Sequence, residues 1–110
     1  MNAASSSFPP SPPEARVSVD LEPLIENYMN NRRKDIAKAV QLLAEGNFEE
    51  LSGIGHTMKG GGASYGFLPI SEIGLRIEIA AKNSDKASIE VAFGELQEYI
   101  ETVNIIFVED

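Results

Sequence analysis

The chain has 110 residues, enough for one domain with a core of its own, and no cysteine, which excludes a disulfide framework and a thiolate zinc site. Seventeen acidic against nine basic residues give a net charge of −8, which disfavours nonspecific binding to nucleic acid or to an anionic membrane. No apolar run approaches the ~18 residues of a membrane span. The N-terminus also lacks the basic-then-apolar order of a secretory signal, so a cytoplasmic location is expected.

Residues 1 to about 18 are rich in Ser, Ala and Pro, with Pro9, Pro10, Pro12 and Pro13, a composition that cannot bury a core. They are expected to be a disordered leader, either a tether or a dispensable tail, ahead of a domain over residues 19–110. Asp20 is placed to cap a first helix with Pro23 in its first turn, and Leu21, Leu24, Ile25 and Tyr28 follow helical spacing to about Asn30. A second helix is expected from Asn31 to Glu45 on Ile36, Ala39, Val40 and Leu43, stopped by Gly46, with Arg32-Arg33-Lys34 as a solvated face.

Asn47, with Glu50 three residues on, caps a third helix that carries the only histidine and ends near Tyr65 or Gly66. Pro69 opens a fourth, with Ile70, Ile73, Ile77 and Ala80 on one side. Asn83-Ser84-Asp85 is a turn whose Ser84 or Asp85 caps a fifth, with Ile89, Ala92, Phe93, Leu96, Tyr99, Ile100, Val103, Ile106 and Phe107 in helical register. The β-branched end of that run leaves its boundary open, and nothing alternates with period two for long enough to argue a sheet. The predicted fold is all-α, an antiparallel up-down-up-down four-helix bundle with the short N-terminal fifth helix as a lid.

Gly60, Gly61 and Gly62 run consecutively inside the third helix, at a cost of about 1 kcal/mol each relative to alanine, which a marginally stable small domain feels. With successive residues about 100° apart, Leu51, Ile54, Met58 and Tyr65 cluster on the core side and His56 falls nearly opposite. Ser52, Lys59, Gly60 and Ala63 share the His56 face. Gly61 and Gly62 flank the core stripe, where a missing side chain lets neighbouring helices close in. Gly60 is turned away from the core, so its bareness points to something arriving from outside. An outward imidazole, a lysine one turn on and an opening in the backbone make a coherent phosphate site: the ring attacks, the ammonium neutralises charge and the glycine admits a partner.

His56-x-x-Lys59-Gly60, then Gly61, Gly62, Ala63 and Gly66-Phe67, resembles the histidine-containing phosphotransfer (HPt) domain, and most of all the phosphotransfer domain of chemotaxis-type histidine kinases. The resemblance covers about residues 20–108. It implies a phosphorelay intermediate in two-component signal transduction, whose His56 accepts a phosphoryl group and exchanges it with an aspartate of a response-regulator receiver domain. It implies that Lys59 contacts the phosphoryl oxygens and that Gly60, with Ala63 and Ser52 on the same face, leaves room for the receiver. A glutamate on the next helix that hydrogen-bonds the histidine would be Glu78. By residue chemistry alone Glu78 is equally a surface acid paired with Lys82 at i+4. The second histidine that some chemotaxis-type domains carry one turn before that glutamate is here Leu75, so any proton-sharing role is absent.

The expected protein is a phosphocarrier and not an enzyme. No nucleotide-binding motif is present, since Lys59-Gly60-Gly61-Gly62 has the wrong order for a P-loop. No cofactor and no metal site are expected: Mg²⁺ would belong to the receiver, and one histidine without paired Glu-x-x-His motifs cannot assemble a bundle metal site. Expected partners are a receiver domain and a sensor histidine kinase or hybrid kinase, without nucleic acid or membrane insertion, and the domain is expected to be a monomer. A Pro-rich leader ahead of a domain that ends the chain favours a stand-alone protein or a C-terminal module. Leu75 and Ile79, off the core side, are left to pack against the lid or a partner. The alternative class is a helical module that docks receiver domains without being phosphorylated.

Overall fold

A computed structural model describes residues 11–109. Strand β1 (Glu14–Ser18) and a short 3-10 turn (Val19–Leu21) lead into four helices. These are α1 (Glu22–Glu45), α2 (Phe48–Gly62), α3 (Leu68–Lys82) and α4 (Lys86–Thr102), followed by β2 (Asn104–Val108). Local chemistry sets most of the boundaries. Gly46 ends α1 in the left-handed conformation, and the Asn47 side chain accepts from the Glu50 N–H to start α2. A proline stands in the first turn of α3, and the Asp85 carboxylate accepts from both the backbone N–H and the hydroxyl of Ser88 at the start of α4.

Four expectations are corrected. The short helix to Asn30 and the helix from Asn31 are one continuous α1, so the described residues hold no separate lid helix. Neither Asn is a strong breaker, the Arg33 guanidinium donates to the Asn30 side chain across the junction at 2.7 Å, and Ile25, Tyr28, Met29, Ala39, Leu42 and Leu43 bury one unbroken stripe. Ser18 rather than Asp20 caps the N-terminal turn, accepting from the Asp20 N–H. Arg32 is not a solvated charge: it is buried, lies 4.7 Å over the Tyr28 ring and pairs with Asp35 at 2.9 Å.

The fourth correction joins the two ends of the chain. Residues 14–18, expected to belong to the leader, form β1, and residues 104–108, expected to extend the last helix, form β2. The two pair in parallel, with Ala15 opposite Ile105 and Val17 opposite Phe107. A run of Val103, Ile105, Ile106, Phe107 and Val108 fits a pleated, half-buried surface better than another helical turn. Ala15 and Val17 are buried, so this end of the expected leader is core. Residues 1–10 of that leader lie outside the described residues.

The core runs between the helices, with Leu51, Met58, Phe67, Ile70, Ile77, Ile89 and Leu96 fully enclosed. Helices α2 and α3 approach at backbone distance. A Cβ added at Gly55 would stand 2.6 Å from the Glu78 amide nitrogen, and one at Gly74 would stand 2.5 Å from that of Lys59. At Gly62 it would stand 2.5 Å from the Ser71 amide nitrogen. Ser71 also closes this seam with its hydroxyl, which accepts from the Ala63 N–H at 2.7 Å. Gly61 does not share this role: a Cβ there would make only an ordinary contact with the Tyr28 ring.

Candidate functional site

The wheel places His56 opposite the core stripe, and in the structure its side chain is 67 % exposed while Leu51 and Met58 beneath it are enclosed. The close seam between α2 and α3 is what gives this exposed ring a partner. With Gly55 and Gly74 in contact, the next turn of α3 brings Glu78 under the histidine, and Oε2 of Glu78 lies 3.0 Å from His56 Nδ1. The other carboxylate oxygen, Oε1, takes the Lys59 ammonium at 2.9 Å, and Lys82 stands 3.6 Å from Oε2. Of the two readings left open by the sequence, Glu78 reaches the histidine; Lys82 does neighbour it one turn along α3, but Glu78 is buried and is not a surface acid.

Glu78 is the electrostatic centre of the group. Its side chain is only 10 % exposed, with two hydrogen-bond partners, His56 and Lys59, and the Lys82 ammonium nearby. The Lys59 hydrogen bond is the main cause that lowers its pKa from 4.5 to about 2, helped by the His56 hydrogen bond and the charges of Lys59 and Lys82 against the opposing effect of burial. An ionised carboxylate only accepts. The hydrogen between the two residues therefore sits on Nδ1, and in the neutral ring the Nε2 lone pair is bare.

Gly60 is exposed and a Cβ there would meet no described residue within 4 Å, so no contact among the described residues demands a glycine at that position. Ala63 is exposed beside it and Ser52 is half-buried one turn before the histidine. Leu75 and Ile79 are both exposed on α3, packed against no lid. Lys82 entered the sequence reading only as a neighbour of Glu78, and Gly55 and Gly74 carried no stated role. Their signal was a glycine on each of two adjacent helices at positions facing one another, which becomes visible only once the helices are paired. Among the described residues no group of three or more His, Cys, Asp or Glu side chains is arranged to hold a metal ion.

A family model for the Hpt domain matches residues 23–104, a span that contains all four helices but for the first residue of α1. The chain belongs to the Hpt domain family. No curated protein and no solved structure matches it. Hpt domains are phosphocarrier modules of two-component phosphorelays rather than catalytic enzymes, and they interact with kinases and receiver domains. This Hpt domain is helical, as expected, and no helix among its described residues is long and apolar enough to cross a membrane.

Proposed function

We propose that His56 of this Hpt domain accepts a phosphoryl group at Nε2 and exchanges it with an aspartate of a response-regulator receiver domain. One observation carries the reading: an exposed imidazole whose Nδ1 is engaged by an ionised, nearly buried carboxylate at 3.0 Å, with Nε2 left as the nucleophile. In the transfer from a phosphorylated receiver, the Nε2 lone pair forms the N–P bond as the P–O bond to the aspartate breaks, and the aspartate leaves as a carboxylate. The ring keeps its Nδ1 hydrogen and becomes cationic, and Glu78 offsets that charge. No proton has to leave during the step. The reverse transfer retraces it.

Lys59, seated on Glu78 beside the ring, lends positive charge to the phosphoryl oxygens. Gly60, with Ala63 and Ser52 around it, gives the receiver a flat approach. Phosphoryl transfer is chiefly positioning and charge stabilisation, which this arrangement supplies without an ATP site, and Mg²⁺ belongs to the receiver. A sensor or hybrid kinase would start the relay. Glu78 on His56 supports the likeness to chemotaxis-type domains, with Leu75 in place of their second histidine. Short connections between the helices support an alternating up-down course, and a net charge of −8 favours a monomer.

The test is incubation of the chain with a ³²P-labelled receiver domain. The expected result is an acid-labile, base-stable label on His56 that is lost in His56→Gln. A receiver that binds the chain without transferring label would favour a docking module instead.

A further inference from the structure

Two ammonium groups share the carboxylate of Glu78, and they are held differently. Lys59 Nζ sits at hydrogen-bond distance, 2.9 Å from Oε1, with its side chain 39 % exposed. Lys82 Nζ stands 3.6 Å from Oε2, beyond hydrogen-bond distance, with its side chain 67 % exposed. Lys82 thus shares with the histidine the same oxygen, the one that receives Nδ1. For Lys59 to turn toward a phosphoryl group it would have to strip a charged hydrogen bond from a nearly buried carboxylate. For Lys82 to do so costs only a screened attraction at the surface. Lys82 also ends α3, so its stem emerges where the helix stops and the Asn83–Asp85 turn begins.

Charge counting gives the same division. Before phosphorylation the two lysines and one carboxylate leave an excess of one positive charge next to the ring. A phosphoryl group on Nε2 brings two negative charges and turns the ring cationic, so the cation free to move has a reason to leave Glu78. From these contacts we infer that Lys82 is the mobile phosphoryl-contacting cation of the site, which swings from Glu78 to the phosphoryl oxygens while Lys59 keeps its hydrogen bond to Glu78 and acts on the phosphoryl group only through its nearby charge. This rests on the phosphotransfer reading of His56.

The experiment uses the full chain and potassium phosphoramidate, a small donor that phosphorylates histidine without a docking partner. Side-chain ammonium resonances of ¹⁵N-lysine-labelled protein are followed before and after the reaction and assigned with Lys82→Arg and Lys59→Arg. The expected result is a large shift and slowed hydrogen exchange of the Lys82 ammonium, with a smaller shift and unchanged exchange at Lys59. Lys82→Gln is expected to lower the initial rate of His56 phosphorylation by about fivefold and to flatten its salt dependence, with Lys82→Arg restoring both. A Lys59 response beside a silent Lys82, or a Lys82→Gln rate equal to that of the parent chain, would overturn the assignment and leave His56 as the acceptor. Absence of any label on His56 in the parent chain would overturn both.

Discussion

Gly55 of α2 and Gly74 of α3 lie face to face, so that a Cβ on either would stand 2.7 Å from the carbonyl oxygen of the other. This contact lets two helices approach at backbone distance, and the site depends on it, because Glu78 follows Gly74 by one turn and His56 follows Gly55 directly. Helices separated by ordinary side chains would leave the carboxylate and the imidazole on different surfaces.

Gly55→Ala and Gly74→Ala are each expected to destabilise the fold by about 1–3 kcal/mol, the usual cost of forcing a methyl group into a packed seam. Each is also expected to weaken the His56–Glu78 hydrogen bond. Urea denaturation reads the first effect. Loss of the slowly exchanging Nδ1 hydrogen in the imidazole NMR spectrum reads the second. An unchanged urea midpoint would show that the seam has slack.

Gly60 contrasts with them. No described residue stands within 4 Å of an added Cβ, so Gly60→Ala is expected to stabilise α2 by about 0.5–1 kcal/mol through helix propensity alone. Gly60→Gln is expected to keep the fold while weakening association with a receiver domain, measured by calorimetric titration. A Gly60→Gln chain that binds the receiver as tightly as the parent would remove the reason given for the glycine.

Glu78→Gln keeps the shape of the side chain but loses its charge. The expected outcome is a fall in the rate of label transfer to His56 on the order of tenfold, with circular dichroism unchanged. Rapid-quench transfer from a phosphorylated receiver is the measurement. Equal rates would mean that the carboxylate neither fixes the ring nor offsets its charge.

The depressed pKa of Glu78 sets a pH window. A carboxyl whose pKa falls from 4.5 to about 2 on folding contributes stability that is fully present above pH 4.5 and lost as pH falls toward 2. The stability gap between the parent chain and Glu78→Gln is therefore expected to close as pH falls from 4.5 to 2. Urea midpoints at stepped pH read the gap. ¹³C titration of the Glu78 carboxyl is expected to show it still ionised at pH 3.

Much of the site was legible in the sequence because one helix carries most of it. Periodicity alone turned His56, Lys59, Gly60 and Ala63 to one face and Leu51 and Met58 to the other. What crosses between elements was not legible. The distance from His56 to Glu78 depends on how closely α2 and α3 pack, which Gly55 and Gly74 decide jointly. The strands were missed for a similar reason: Ala15 and Val17 are a short alternation in a proline-rich stretch, and they become a strand only when Ile105 and Phe107 arrive from the other end of the chain. The helix expected to end at Asn30 instead continues as α1 to Glu45, with buried residues on both sides of that point.

The N-terminal strand carries its own test. Val17 is fully enclosed, so Val17→Ala is expected to cost about 1.5–3 kcal/mol although it lies in a stretch that reads as leader. Thermal unfolding followed by circular dichroism measures it, and a neutral substitution would mean that β1 contributes no core.

The account stands or falls on which ring nitrogen of His56 carries phosphorus. ¹⁵N-histidine-labelled chain phosphorylated by a receiver domain would show a one-bond ¹⁵N–³¹P coupling to one nitrogen. Coupling to Nε2, with a hydrogen still on Nδ1 and held by Glu78, is the expected result. Coupling to Nδ1, or no phosphorus on His56 at all, would contradict it.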